Sequence, residues 1–112
     1  MTIRIEYNGD IPRTNQRYYK NFSLRPEYRD AKERLGWQAK LVMQGKEPLK
    51  CPVKVYIELS NQLVRGDIDS SSKAVLDALE GIVYLNDKQV KKLTIEFIDS
   101  PVKMIIEIDH GN

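Results

Sequence analysis

The sequence predicts a single small α+β domain over residues 1–112, in which a mixed sheet of four or more strands carries two main helices. Four segments alternate apolar and polar residues, as half-buried strands do, and two segments repeat apolar residues at three- and four-residue steps, as helices do. The segments follow the order strand, helix, strand, helix, strand, strand, which favours helices packed on a mixed sheet. The length of 112 residues suits one hydrophobic core.

The chain begins with a predicted strand over 2–7. Ile3, Ile5 and Tyr7 lie on one side of this strand, and polar residues lie on the other. The next segment, 11–20, has no regular period and mixes basic residues with tyrosines, so we expect a loop or an irregular hairpin there.

A long helix is predicted over roughly 26–44, because Pro26 suits a first helical turn and Gly45 can end the helix. Its apolar stripe consists of Tyr28, Ala31, Leu35, Ala39 and Val42. Trp37 and Leu41 widen this stripe, and we expect them to pack in the core. Contact with a partner subunit is the alternative for both residues.

A second strand is predicted over 52–60, and a second helix of about ten residues follows, with N-cap candidates among 68–72 and a stop at Gly81. Two strands come last. Their alternating apolar residues are Leu93, Ile95 and Phe97 in the first and Val102, Met104, Ile106 and Ile108 in the second. Because the connection at 99–101 is short, we expect these two strands to pair antiparallel with each other.

Composition limits the chemistry that the chain can perform. The chain has a single cysteine, Cys51, and a single histidine, His110, which exclude an intrachain disulfide and a Cys/His zinc site. The same composition argues against a Ser-His-Asp or Cys-His catalytic triad. Any catalysis would therefore use carboxylates, lysines and a hard metal ion. No segment has the length of an apolar membrane span, and no signal-peptide pattern is present, so we expect a cytoplasmic protein.

The net charge of +2 conceals an asymmetry between the two halves of the chain. Residues 1–50 contain 11 Lys and Arg against 6 Asp and Glu, whereas residues 51–112 contain 7 against 10. This pattern is compatible with a polyanion-binding half beside an acidic metal site, and ordinary solvated charge is the alternative.

Two carboxylates, Asp67 and Asp69, stand just before the second predicted helix. In an extended segment both side chains point the same way, while Ile68 between them points toward the core. Two like charges held together are costly unless a cation neutralises them, and Mg²⁺ prefers one or two carboxylates with water and phosphate oxygens. Lys73, one helical turn later, could neutralise charge on a phosphate, and Asp87, on the turn after the helix, could supply a third carboxylate.

Structural roles are the alternative for the same residues. Asp69 could serve only as the N-cap of the helix, and Asp67 could do no more than interact favourably with the positive end of the helix dipole. Lys73 could pair only with Asp77, four residues later. Asn86, next to Asp87, is a weaker ligand candidate.

Residues 66–90 closely resemble the signature of the RusA-like Holliday junction resolvases. That signature consists of an Asp-x-Asp pair, a Lys-Ala-Val-x-Asp-Ala-Leu helix, and an acidic turn followed by Gln and Val or Ile. Gly9, Pro12 and Asn15 resemble the start of the family more loosely. The chain departs from the pattern at Asn86, where the family often has a second acidic residue, and at Ser70, where Asn is common.

The resemblance implies a RusA-like fold and a homodimeric, Mg²⁺-dependent endonuclease of DNA recombination and repair, found often in phages and prophages, that nicks four-way DNA junctions symmetrically. Mn²⁺ is the expected substitute for Mg²⁺. By position, Asp67, Asp69 and Asp87 become metal-binding catalytic carboxylates, and Lys73 becomes the catalytic lysine. A non-catalytic junction-binding module with the same fold is the alternative function.

Basic and amide residues in two regions are candidates for contact with DNA phosphates. The candidates are Arg13, Asn15, Arg17 and Lys20, interleaved with Tyr18 and Tyr19, and, nearer the carboxylates, Arg65, Lys88, Lys91 and Lys92. Solvated surface positions are the alternative for each of them.

Overall fold

The computed structural model describes residues 1–12, 26–66, 68 and 71–111. Its elements are strand β1 (Thr2–Tyr7), helix α1 (Pro26–Met43), strand β2 (Val53–Ser60), helix α2 (Ser72–Leu79), a 3-10 turn (Asp87–Gln89), strand β3 (Val90–Ile98) and strand β4 (Met104–His110). These elements confirm the predicted α+β class, with two helices and a mixed sheet of four strands. Within the described ranges, no helix has the length and apolar character needed to cross a membrane.

The four strands form one sheet in the order β1-β4-β2-β3. β4 pairs antiparallel with both β1 and β2, whereas β2 and β3 are parallel. The register places Ile5, Ile106, Ile57 and Ile95 in one row across the sheet. Because β2 and β3 are parallel, the segment containing α2 must cross from one end of the sheet to the other.

The predicted pairing of the last two strands is wrong, because β2 lies between β3 and β4. Neighbouring strands are about 4.8 Å apart, so the connection over 99–103 spans only about 10 Å, which a few extended residues can cover. This connection passes over the end of β2, where the Ser60 N–H donates to Lys103 O at 2.8 Å and the Ser60 hydroxyl donates to Ser100 O at 2.7 Å. A short connection therefore fixed the opposite directions of the strands but not their adjacency.

Both helices cover the same face of the sheet. The buried residues on that face of β2 and β4 are Val53, Val55, Ile57, Leu59, Met104, Ile106 and Ile108. They form one cluster with buried residues of α1 and α2, including Leu35 and Leu79. Gly36 lets α1 lie close to α2 and the turn after it, because a Cβ atom there would lie 3.7 Å from Ala78 O and 3.3 Å from the Ile82 side chain. Neither α1 nor α2 covers the opposite face of the sheet, which includes Lys54.

The expected core positions of Trp37 and Leu41 are also wrong. The two residues are 64% and 67% exposed, whereas Tyr28, Ala31, Leu35 and Ala39 of the predicted stripe are buried. At 100° per residue, Trp37 lies about 200° around the helix from Leu35 and therefore faces outward. Lys40 covers part of the indole, with its Nζ atom 4.6 Å from the ring centroid.

Candidate active site

Helix α2 is anchored to the core and leaves its other side available for chemistry. Its buried residues are Ala74, Val75, Ala78 and Leu79. Ser71 stands at the N-cap without a side-chain capping hydrogen bond, although its carbonyl accepts from the Val75 N–H at 2.9 Å. The helix has eight residues, slightly fewer than predicted.

Asp67, Asp69 and Ser70, which precede α2, lie outside the described residues, so their roles stay predictions. Ile68, which was expected to point inward, is 44% exposed.

Lys73 projects from the exposed side of α2. Its Nζ atom lies 3.9 Å from Asp77 Oδ1, with 61% of the lysine side chain and 19% of the aspartate side chain exposed. The structure therefore contains the ion pair that is the structural alternative for this lysine. At that distance and exposure the pair contributes only a few tenths of a kcal/mol, so it leaves a further role for the lysine open.

Asp87 begins the 3-10 turn that follows α2. Its N–H donates to Glu80 Oε2 at 2.9 Å. The next N–H, of Lys88, donates to Asn86 Oδ1 at 2.9 Å, so Asn86 caps the turn. The Asp87 carboxylate makes neither of these bonds and is left available, while the backbone that carries it is fixed.

Gln89 holds the same turn against a distant segment. Its Oε1 atom accepts from the N–H groups of Leu85 and Asn86, at 3.0 and 2.9 Å. Its Nε2 atom donates to the carbonyls of Leu49 and Cys51, at 2.8 and 2.9 Å. The turn is thereby tied to the segment that enters β2.

Three carboxylates lie near the buried side chain of Tyr84. Burial raises the pKa of the Tyr84 hydroxyl above its usual range, and the negative charges of Asp87, Glu80 and Asp77 raise it further. The hydroxyl therefore stays protonated and donates to Leu76 O at 2.7 Å. Asp77, Glu80 and Asp87 therefore add negative charge beside Tyr84, which a bound cation would offset.

Glu80 was not identified from the sequence as part of the site. Asp77 lies in α2 and Glu80 directly follows its last residue, and a spacing of three residues places side chains on the same side of a helix. That spacing was visible in the sequence. The hydrogen bond from the Asp87 N–H to the Glu80 carboxylate, however, depends on how the residues between them fold.

Charged side chains from the two halves of the chain meet between the two helices. A groove of about 610 Å³ runs between α1 and α2. Arg29, Lys32, Lys40 and the acidic Glu33 line it from α1, and Asp77 in α2 and Glu80 just after α2 line the other side. Three basic side chains of the first half of the chain therefore line the same groove as two carboxylates of the second half.

The other predicted site residues divide into two groups. Arg13, Asn15, Arg17 and Lys20 lie outside the described residues. Arg65 and Lys88 are exposed and lie next to the predicted carboxylates in the chain, Arg65 two residues before Asp67 and Lys88 directly after Asp87. Lys91 and Lys92 are exposed at the start of β3, and Lys92 Nζ lies 5.8 Å from the Tyr56 ring centroid.

Among the residues that the structure describes, no group of three or more His, Cys, Asp or Glu side chains could hold a metal ion. Of the three predicted ligands, Asp87 alone is among them. A metal site at Asp87 would therefore require Asp67 and Asp69. The carboxylate chemistry of these three residues fits a hard divalent cation.

Comparison with known protein families gives a match over most of the chain. A protein-family model described as Endodeoxyribonuclease RusA matches residues 9–109, which include α1, α2, the four predicted catalytic residues and most of the sheet. A search of curated proteins finds no match.

Proposed function

Because the chain belongs to the RusA endodeoxyribonuclease family, we propose that it resolves four-way (Holliday) DNA junctions by symmetric, Mg²⁺-dependent phosphodiester hydrolysis. The observation that carries the proposal is the family match over 9–109, which spans the Asp67 to Asp87 region and implies endodeoxyribonuclease activity. The proposed role is in DNA recombination and repair. The proposed enzyme is one domain over residues 1–112 and acts in the cytoplasm.

In this proposal Asp67, Asp69 and Asp87 hold the metal ion, with Mg²⁺ preferred and Mn²⁺ able to substitute. When bound, such an ion polarises the scissile phosphate and lowers the pKa of a coordinated water. Lys73 supplies a positive charge beside the phosphate and compensates the negative charge that develops there. The capped turn holds the Asp87 backbone, so only the side-chain torsions of Asp87 have to be ordered for its carboxylate to act.

Contacts with the junction backbone are proposed for basic and amide residues on both sides of the carboxylates. They are Arg13, Asn15, Arg17, Lys20, Arg65 and Lys88. Each phosphate that such a residue neutralises releases a counterion, so junction affinity should fall steeply as the salt concentration rises.

A non-catalytic junction-binding module is the alternative. The carboxylates of Asp77, Glu80 and Asp87 near Tyr84 argue against it, because a protein that only binds DNA would gain affinity by losing them. The intact set of Asp67, Asp69, Lys73 and Asp87 argues in the same direction.

One assay separates these functions. The protein is incubated with an end-labelled four-way junction and, separately, with linear duplex of the same sequence, each with and without Mg²⁺. We expect paired, symmetric nicks in the junction only with Mg²⁺, and salt-sensitive junction binding in Ca²⁺ without nicks. Binding without nicks under all metal conditions would favour the non-catalytic module, and neither binding nor nicks would contradict both functions.

We also propose that the chain forms a homodimer, since a two-fold protein matches a substrate with two symmetric cleavage positions. The outward side chains of Trp37 and Leu41, one helical turn apart on α1, support this proposal, because both are large, apolar and mostly exposed. For both residues, contact with a partner subunit is the alternative to core packing that the sequence leaves open.

Light scattering during gel filtration tests the dimer. We expect twice the 13.0 kDa chain mass for the wild type and a single chain mass for Trp37→Glu and Leu41→Glu. A charge placed in an apolar contact should raise the dimer Kd by at least about 100-fold. Leu63→Glu, at another exposed leucine, is the control and should remain dimeric. A monomeric wild type would exclude the dimer, and dimeric Trp37 and Leu41 variants would exclude this surface.

A further inference from the structure

The turn that carries Asp87 has no hydrophobic anchor of its own. No residue of the 3-10 turn Asp87–Gln89 is buried. Besides its direct connection to Val90 at the start of β3, the turn is held by hydrogen bonds, and three side chains take part in them: Asn86, Glu80 and Gln89. Asn86 acts within the turn and Glu80 ties it to the end of α2.

Gln89 alone among these three ties the turn to the segment that leads into β2. A primary amide has two acceptor positions and two N–H donors, and Gln89 uses all four. Its four partners also determine the orientation of the amide. The backbone N–H groups of Leu85 and Asn86 can only donate, and the carbonyls of Leu49 and Cys51 can only accept, so a flipped amide would break every bond.

The carbonyl of Leu49 shows how strongly the junction between these segments depends on Gln89. It accepts from Gln89 Nε2 at 2.8 Å and, at a longer 3.3 Å, from the Leu85 N–H. Without the Gln89 side chain, two backbone hydrogen bonds would still join these segments. They are the longer bond from the Leu85 N–H to Leu49 O and the bond from the Leu49 N–H to Val83 O. The carbonyl of Cys51 would no longer be bonded to the turn by this amide.

We propose that Gln89 is a positioning residue that fixes the place of the Asp87 carboxylate in the metal site. The inference rests on the proposed function, because it takes Asp87 to be a metal ligand. Mg²⁺ requires near-octahedral geometry and tolerates little displacement of a ligand. Removing a residue that orients a ligand typically costs 10- to 100-fold in metal affinity or activity.

The test compares Gln89→Met with Gln62→Met. Methionine keeps the unbranched length and neutrality of glutamine and removes its amide. Gln62 is a matched control, because its amide also joins separate segments: it accepts from the Ser100 N–H at 3.3 Å and donates to Asp99 Oδ1 at 3.1 Å. These hydrogen bonds lie at the opposite end of β2 from the Asp87 turn. The readouts are the Mg²⁺ concentration for half-maximal junction cleavage, junction affinity in Ca²⁺, and the urea midpoint of unfolding.

For Gln89→Met we expect the half-maximal Mg²⁺ concentration to rise by about 10- to 100-fold, with junction affinity in Ca²⁺ unchanged and cleavage partly restored at high Mg²⁺. Gln62→Met should lower the urea midpoint without changing the Mg²⁺ dependence. An unchanged Mg²⁺ dependence in Gln89→Met, or an equal change in both variants, would overturn the inference.

A second variant keeps the inference testable if Gln89→Met does not fold. Gln89→Asn retains the amide but is one methylene shorter, so it cannot reach the N–H groups of the turn and the carbonyls of Leu49 and Cys51 together. Wild-type Mg²⁺ dependence in that variant would contradict the positioning role. Failure of the proposed function is distinguishable, because it appears as absence of cleavage by the wild type, and it would overturn this inference as well.

Discussion

Asp87→Asn is expected to lower Mg²⁺-dependent junction cleavage by about 100- to 1,000-fold or more. Asparagine keeps the shape of the side chain but removes the charge that the proposed metal ion requires. The fold should persist, because the turn is held by the Asp87 N–H on Glu80 and by the Gln89 amide, and neither hydrogen bond uses the Asp87 carboxylate. Junction binding in Ca²⁺ should be unchanged or stronger, since the substitution removes one negative charge near the DNA.

Asp99→Asn is the matched control for this prediction. It makes the same chemical change and the same change in net charge, but Asp99 lies at the other end of β3, where it accepts from Gln62 Nε2 at 3.1 Å. Single-turnover rates on a labelled junction should fall for Asp87→Asn and stay at the wild-type level for Asp99→Asn. Asp67→Asn and Asp69→Asn should resemble Asp87→Asn, and retained cleavage by Asp69→Asn would contradict the site assignment.

Lys73→Met is expected to lower the cleavage rate by about 100-fold while changing the free energy of unfolding by only a few tenths of a kcal/mol. The effect on stability is small because the substitution removes an exposed ion pair with Asp77 whose N···O distance is 3.9 Å. The large effect on cleavage follows from the proposed charge compensation at the phosphate. Single-turnover kinetics and urea unfolding measure the two quantities separately.

Two further variants distinguish the lysine from its ion pair. Lys54→Met removes a lysine from the face of the sheet opposite the helices and should cleave as the wild type does. Asp77→Asn breaks the same ion pair but leaves the Lys73 charge in place, so it should retain most of the activity. Equal reductions in Lys73→Met and Asp77→Asn would show that the pair, rather than the lysine, is what cleavage requires.

The elements of the fold were largely predictable because their patterns are local. Alternation identified β1, and the three- and four-residue steps identified α1 within a residue of its observed end. The errors arose where position in space depends on more than spacing. The length of a short connection does not show whether β3 and β4 are neighbours in the sheet. The apolar character of Trp37 and Leu41 likewise does not show that they lie on the side of α1 that faces the sheet.

The candidate site was predictable in its charged residues but not in the hydrogen bonds that support them. Lys73 and Asp87 were identified from spacing and resemblance, and the structure places both beside the acidic surface of α2. The role of Gln89 depends on carbonyls that lie 40 and 38 residues earlier in the chain. No local pattern relates positions so far apart, so the signature contained this glutamine without indicating what it does.

The central claim is that Asp67, Asp69 and Asp87 hold one metal ion, and paramagnetic broadening by Mn²⁺ tests it most directly. Substoichiometric Mn²⁺ is added to isotope-labelled protein, and the amide resonances are followed by NMR. We predict that the amides of 66–70 and 86–88 broaden together, and that Asp67→Asn, Asp69→Asn or Asp87→Asn each abolishes both effects. Broadening at 86–88 that persists without Asp67 and Asp69, or broadening centred elsewhere on the protein, would contradict a shared site.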